Sequence, residues 1–321
     1  MKKFLVIALI FFVIGSIALN VYAFEFSKGP IELIIPFGAG GSHDMHARGM
    51  TSVASNYFER ENPLIPVLKP GGSGAVGSIY VKNSKPDGHT LLFGHNGINI
   101  IAPHVRKLDY LLSDFKAVCQ INYGTVVFVS NKDSGITSIE QLVSHLKEKP
   151  GSLTYASSGI WGALYIPWQL FVDQAGIEMK HLPTAGGGPA LQAVLTGDGE
   201  IGGGFSTVVL DHIKAGNLIP LAVTSRERLE TLPDVPTMIE LGYDDVIYQM
   251  WRGVLVPKDT PDEIVEYLSD RFEKLTKDPS FIKFISKMGE KANFVGSKEF
   301  NKNIKEEEKM YKEKFAKYYI Y

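Results

Sequence analysis

Three times along this chain an apolar run breaks into a knot of glycine and serine and then into a helix start. The clearest copy is Ile31-Glu32-Leu33-Ile34-Ile35-Pro36-Phe37-Gly38-Ala39-Gly40-Gly41-Ser42-His43-Asp44. The others are Leu153-Thr154-Tyr155-Ala156-Ser157-Ser158-Gly159 and Ile201-Gly202-Gly203-Gly204-Phe205-Ser206-Thr207. Strand-like runs alternate with helical patterns elsewhere too, which points to α/β architecture with mainly parallel sheets. Each Gly/Ser knot leaves backbone N–H groups bare at the positive end of a helix, with little side chain in the way. That is a place to hold an anion.

Helix starts are well marked. Thr137-Ser138-Ile139-Glu140 reads as a capping box whose helix ends before Pro150-Gly151. Thr260-Pro261-Asp262-Glu263 reads as another, with proline at the first helical position. Asp278-Pro279 opens a further helix that stops at Gly289. After Ser42, which is itself a candidate helix cap, His46, Met50, Val53, Ala54 and Tyr57 keep helical spacing, so the first Gly-rich loop leads into a helix. Near the end, Phe300, Ile304, Tyr311, Phe315 and Tyr318 form one stripe, expected to pack a surface helix on the body.

The N-terminus carries an export signal. Met1-Lys2-Lys3 is basic, Phe4 to Leu19 is apolar apart from Gly15 and Ser16, and Val21-Tyr22-Ala23 supplies the small residues of a cleavage site. Cleavage after Ala23 removes two lysines and takes the net charge from −2 to about −4. The apolar stretch is short for a membrane span and no basic cluster follows it. The single cysteine, Cys119, can form no internal disulfide and stands too far from the cleavage site to carry a lipid. It lies in Ala117-Val118-Cys119-Gln120-Ile121 and is expected to be a buried small hydrophobe. These features point to a periplasmic protein, and a near-neutral chain without basic blocks argues against nucleic acid as partner.

Catalytic and cofactor patterns are weak. Gly72-Ser73-Gly74-Ala75-Val76-Gly77 has the letters of a dinucleotide loop, but Pro63, Pro66 and Pro70 interrupt the strand that should precede it, and Asp87 follows too soon. No phosphate loop of the GxxxxGK[ST] type and no GxSxG elbow is present. His43 and His46 bracket Asp44 without the third ligand that a metal needs. Asp44 reads as a first-turn acid, with Arg48 one turn on as its partner. The chain reads as a binder, with no cofactor and no metal expected.

Several blocks together resemble the Bug/TctC family, the extracytoplasmic receptors of tripartite tricarboxylate transporters. They are Ile34 to Asp44 with Ala47-Arg48, Lys69 to Gly77, Lys85-Pro86-Asp87-Gly88-His89-Thr90-Leu91-Leu92, Tyr155 to Gly159, and Gly186-Gly187-Gly188-Pro189-Ala190. The series continues with His212-Ile213-Lys214-Ala215-Gly216, Leu221 to Thr224, Leu232-Pro233-Asp234-Val235-Pro236-Thr237 and Trp251-Arg252-Gly253. The resemblance implies an α/β, two-lobe periplasmic binding protein of type II, each lobe a mainly parallel sheet flanked by helices. It implies a signal peptide over 1–23, a discontinuous first lobe over 24–125 and 250–321, and a second lobe over 126–249. A small organic carboxylate would be trapped between the lobes, held largely by backbone N–H groups, and delivered to membrane subunits of the transporter by a monomeric receptor.

The candidate contact residues are Phe37, Gly40, Gly41, Ser42, His43, Asn96, Ser157, Ser158, Tyr165, Gly186, Gly187, Phe205 and Ser206. Trp161 and Trp251 lie beside these segments, where they either stack on a ligand or pack the hinge. The chain departs from the family in having Tyr165 where a His is common, Gln169 at the following acid, and Thr184-Ala185 in place of a Tyr-Lys or Tyr-Arg pair. A ligand with one or two carboxylates is therefore expected rather than three. The rival readings are a periplasmic enzyme using His43, Asp44 and Tyr165, and a sensor that presents its ligand to a membrane kinase.

Overall fold

A computed structural model describes residues 26–318, so the leader and the expected cleavage point after Ala23 lie outside the described residues. The chain opens with β1 (Ile31–Ile35), α1 (Ser42–Val53), β2 (Leu64–Leu68), α2 (Ala75–Lys82), β3 (Thr90–Gly94) and a short α3 (Ala102–Val105). The long β4 (Phe115–Asn131) follows, then α4 (Ile139–Glu148), β5 (Thr154–Ser157), α5 (Tyr165–Ala175), β6 (Lys180–Pro183) and α6 (Gly187–Thr196). Next come β7 (Ile201–Phe205), α7 (Ser206–Lys214), β8 (Leu218–Val223) and β9 (Gln249–Pro257). The last elements are α8 (Asp262–Thr276), α9 (Pro279–Lys287), β10 (Ala292–Gly296) and α10 (Ser297–Lys314).

The strands run in the order β2-β1-β3-β9-β4-β7-β5-β6, with β10 and β8 also lying against β4. Two parallel triplets, β2-β1-β3 and β6-β5-β7, form the centres of the two lobes. The strands between them, β9 and β4, are antiparallel to their neighbours, so the sheet is mixed where the sequence suggested mainly parallel pairing. The reason is connectivity: β4 leaves one lobe and β9 returns to it, so the two must run in opposite directions. β4 is 17 residues long. It pairs with β9 up to Thr125↔Gln249 and with β7 from Val126↔Phe205.

Ile31, Leu33, Ile34 and Ile35 are fully buried between helices on both faces of the sheet, which is why that strand reads as a continuous apolar run. Pro66 is tolerated because β2 is an edge strand. The helix starts differ in detail from the sequence reading. Ser138 caps α4 by accepting from Gln141 N, and Gln141 rather than Glu140 reaches back to Thr137 N. Pro261 occupies the cap of α8 rather than its first turn. Asp278 caps α9 as expected, accepting from Ser280 N and Phe281 N. Phe300, Ile304, Tyr311 and Phe315 are buried where α10 packs on β4, with the Phe300 ring edge-on to Trp251 at 5.0 Å. At roughly 1.5–3 kcal/mol per buried side chain, that stripe accounts for the docking of an otherwise polar helix. Cys119 is a free, buried thiol, and burial pushes its pKa up.

Candidate functional site

Four helices begin around one small cavity between the lobes. Gly41, Ser42 and His43 bring the start of α1; Ala163 and Leu164 the turn before α5; Gly187 the start of α6; and Phe205 the residue before α7. The first N–H groups of α1, α6 and α7 have no partner within their helices, whereas at the start of α5 Tyr165 N and Ile166 N donate to Gly162 O; positive ends from both lobes collect here. The cavity measures ≈ 30 Å³, enough for about one water molecule. The lobes therefore stand closed on one another. Glycine makes that approach possible: a Cβ on Gly188 would lie 2.7 Å from Ala39 O, and one on Gly41 would lie 3.3 Å from Gly188 N. Gly38 N also donates across the cleft to Ala185 O at 3.4 Å.

Beneath the cavity lies a buried polar cluster. Arg252 and Glu290 pair at 2.6 Å with the guanidinium entirely out of solvent. Asn122 Nδ2 donates to Glu290 at 2.6 Å, and His46 Nε2 lies 3.0 Å from the same carboxylate. Burial alone would raise the Glu290 pKa, but Arg252 and His46 reverse this and hold it below the ordinary value. Burial and the Arg252 charge keep the His46 pKa low. The positive charge of Arg252 is thus matched inside the protein.

Ser42 links this cluster to the second lobe. Its Oγ accepts from Arg252 Nη2 at 2.5 Å and from Thr207 Oγ1, on α7, at 2.9 Å. The same Oγ also lies 3.5 Å from His46 Nδ1. Ser42 does not cap α1; Gly41 occupies the cap position, and the Ser42 carbonyl accepts from His46 Nδ1 at 2.7 Å.

One wall is aromatic. Phe37, His43 and His95 stand with ring centroids 5.1–5.4 Å apart. Burial, with the Arg252 charge nearby, lowers the His95 pKa to about 3. His43 is lowered well below the usual range by burial, then by His95 and Arg252. Both imidazoles are neutral at physiological pH.

The structure brings together Phe37, Gly41, Ser42, His43, Ser158, Gly187 and Phe205 at the cavity. The other candidates stand apart from its lining. Gly40 is a turn residue at φ +76° whose N–H is taken by Asp44 Oδ2 at 3.0 Å. Asn96 bonds to Gln249 O and Glu307, near the return of the chain to the first lobe. The Ser157 hydroxyl meets His181 Nε2 at 2.7 Å, and that of Tyr165 donates to Gln169 at 2.7 Å. Gly186, at φ +148°, packs on Phe37 and Gly38, while Ser206 Oγ faces Gly289 O. Asp44 pairs with Arg48 at 2.8 Å, as the spacing predicts. Ser158 Oγ accepts from Leu164 N at 3.2 Å, fixing the turn into α5.

His95, Met250 and the Arg252 hub were missed. His95 follows a strand and precedes a tight turn, the same local signal that marked His43, but without glycines on its N-terminal side beyond Gly94. Arg252 meets Glu290 only through the β4–β9 register, which local spacing does not reveal. Trp251 packs on Phe300 and donates to Glu307 at 2.6 Å, away from the cavity. Trp161 lines a separate recess of ≈ 590 Å³, together with Arg106 and Lys107.

A family model described as TctC, tripartite tricarboxylate transporter family receptor, matches residues 57–317. The chain belongs to this family. Among its relatives, Protein BugT of Bordetella pertussis is 28% identical over 295 residues, spanning 90% of this chain and 89% of its own. The structure of the periplasmic binding protein BugD superposes on the receptor with a TM-score of 0.85 at 25% identity, covering 90% of this chain and 97% of that one. R. palustris Rpa4515 with adipate superposes with a TM-score of 0.82 at 26% identity, covering 90% and 96%. These relatives of known structure share the two-lobe α/β fold. Among the described residues no helix is long and apolar enough to cross a membrane.

Proposed function

We propose that the receptor works in the periplasm, capturing a small organic mono- or dicarboxylate between its lobes and delivering it to membrane subunits of a tripartite tricarboxylate-type transporter. The observation that carries this reading is the meeting of four helix N-termini, contributed by both lobes, at one cavity. Each such end contributes roughly 0.3–1 kcal/mol to an anion at exposed positions and up to about 2 when partly buried. Together they hold one or two carboxylates without a free cation, and Arg252 is already matched by Glu290. Arg106 and Lys107, which line the separate recess, add attraction for an approaching anion. Adipate in the relative Rpa4515 is a dicarboxylate with an apolar body, and the aromatic wall of Phe37 and Phe205 suits such a body here.

In this reading the mature chain begins at Phe24 and is a monomer that needs no cofactor. The first lobe spans 24–125 and 250–321 and the second 126–249. The division is supported by the change of partner along β4 at Thr125 and Val126. The closed cavity is far smaller than a dicarboxylate, so the lobes part to admit ligand and close around it. A thermal-shift screen of the purified mature protein tests the proposal. Carboxylates are expected to raise Tm, and sugars and free bases to leave it unchanged. Stabilisation by a neutral sugar with no response to any carboxylate would overturn it.

A further inference from the structure

Thr207 stands in the first turn of α7, in the second lobe, and Ser42 opens α1 in the first. Their hydroxyl oxygens meet at 2.9 Å, with the two residues 8% and 4% exposed. Ser42 lines the ligand cavity and Thr207 does not. The bond therefore joins the two lobes without passing through the ligand space.

It is anchored on the first-lobe side. Arg252 Nη2 donates to the same Ser42 oxygen at 2.5 Å, and Arg252 is itself fixed by Glu290 at 2.6 Å and Asn122 Oδ1 at 3.2 Å. The Arg252 guanidinium carbon also lies 4.9 Å from the centre of the Phe205 ring, two residues before Thr207. Phe205 pairs with Val126, where β4 enters the second lobe. Gly124 makes room for this junction: a Cβ there would stand 2.7 Å from Arg252 Nη2 and 2.8 Å from Phe205 Cδ1. One arginine thus reaches the start of α7 by two routes, its contact with the Phe205 ring and the Ser42–Thr207 hydroxyls. Two further contacts between the lobes are looser, Gly38 N to Ala185 O at 3.4 Å and Arg106 Nη1 to Ile160 O at 3.5 Å.

A hydroxyl bond between lobes counts only toward the closed form, because water takes both groups once the lobes part. Apparent affinity is intrinsic affinity scaled by the fraction of protein in the competent state, so a weaker closing equilibrium lowers the affinity of every ligand alike. A side chain that touches ligand acts unequally, according to what each ligand places against it.

We infer that Thr207 is a latch residue: its bond to the Arg252-anchored Ser42 hydroxyl holds α7 against α1 in the closed form and sets the affinity of the cleft without touching ligand. This rests on the carboxylate-receptor reading and adds a positioning residue to it.

Calorimetric titration with succinate, adipate, propionate and phenylacetate, beside melting of the ligand-free protein, tests it. Thr207→Val exchanges the hydroxyl for a methyl group of similar size. For each acid that binds the wild-type protein, it is expected to weaken binding about three- to tenfold. The factor is expected to agree between acids within about twofold, and Thr207→Ser, which keeps the hydroxyl, to stay within about twofold of wild type. Unchanged affinity in Thr207→Val, with or without a fall in Tm, would overturn the inference and leave Thr207 a packing residue of α7. A loss that differs widely between acids would overturn it by making Thr207 a ligand contact, and a loss that Thr207→Ser does not restore would take the hydroxyl out of the argument. Thr207→Ala adds no atom to the site and is read by the same criteria if the valine variant does not fold. All of these outcomes leave the receptor reading intact. If no carboxylate binds the wild-type protein, the receptor reading itself falls, and this one with it.

Discussion

Replacing Gly188 by alanine separates folding from closure. The residue sits in the first turn of α6, where its φ is not left-handed, and Pro189 follows it, so a Cβ there carries a modest local cost of its own. In the closed form the added Cβ would lie 2.7 Å from Ala39 O, 3.1 Å from Gly40 C and 3.1 Å from Gly41 N. All three are backbone atoms of the other lobe, and real Cβ contacts of 3.4 Å or more are ordinary. No side chain can swing aside, so the lobes must stand off by several tenths of an ångström. An overpacked contact of this kind costs about 1–3 kcal/mol. If ligand binds only when the lobes close, that cost appears in the affinity as a loss of about 5- to 150-fold. The assay is calorimetric titration with the carboxylate that gives the largest thermal shift, beside melting of the ligand-free protein. The expected result is weaker binding with a ligand-free Tm lowered by no more than about 4 °C. Unchanged affinity would show that the bound form does not bring Gly188 against the Ala39–Gly41 backbone. A much larger fall in ligand-free Tm would show that Gly188 serves the second lobe's own packing.

Gly41→Val places branched carbons where Gly188 N is 3.3 Å from the ideal Cβ, and is expected to weaken binding while the protein stays folded, as calorimetry and circular dichroism would show. Arg252→Met strands the Glu290 carboxylate out of solvent and is expected to cost about 3–5 kcal/mol in chemical denaturation, much of it recovered in Arg252→Met/Glu290→Leu. Glu307 is raised from 4.5 to about 7, by burial first, against hydrogen bonds from Asn96 and Trp251. Its carboxyl stays protonated in the folded protein while the unfolded chain ionises, so stability is full below pH 4.5, falls between there and about pH 7, and is then level. At ~1.4 kcal/mol per pH unit the fall is about 3 kcal/mol, and Glu307→Gln is expected to flatten this part of the Tm–pH profile.

The architecture was legible wherever its cause was local. The apolar run Ile31–Ile35 and the Gly/Ser knot behind it declare a buried strand and a helix start within fourteen residues of sequence, Ile31 to Asp44. The third copy of that device misled in one respect, because Gly202, Gly203 and Gly204 lie inside β7 rather than in a loop. A Cβ on Gly202 would stand 2.4 Å from Val194 and one on Gly204 2.5 Å from Val209, so these glycines let α6 and α7 pack close to the strand. That need is set by partners elsewhere in the fold. Ser42 shows the same limit: its type and position suit a cap, yet Arg252 and Thr207, distant in sequence, claim its oxygen. Asn96, Ser157 and Tyr165 hydrogen-bond to Glu307, His181 and Gln169, and the first two of these partners stand far along the chain, where local spacing does not reveal them.

The same geometry explains why an anion in particular would drive closure. Closing brings the start of α1, in one lobe, against the starts of α5, α6 and α7 in the other. Each end carries roughly half a positive charge, so the closed form without ligand gathers like charges around a small, poorly solvated space. Arg252 adds nothing to this sum, because Glu290 lies within 2.6 Å of it. A carboxylate between the lobes converts that repulsion into attraction toward both sides, whereas in the open form it keeps only one set of contacts. The ligand's preference for the closed state then comes largely from its charge, with shape deciding among anions. A neutral amide of the same size as a bound acid is therefore expected neither to raise Tm nor to contract the protein in small-angle scattering. An amide that closes the lobes as well as its acid would show that apolar contact, rather than the helix N-termini, supplies the driving force.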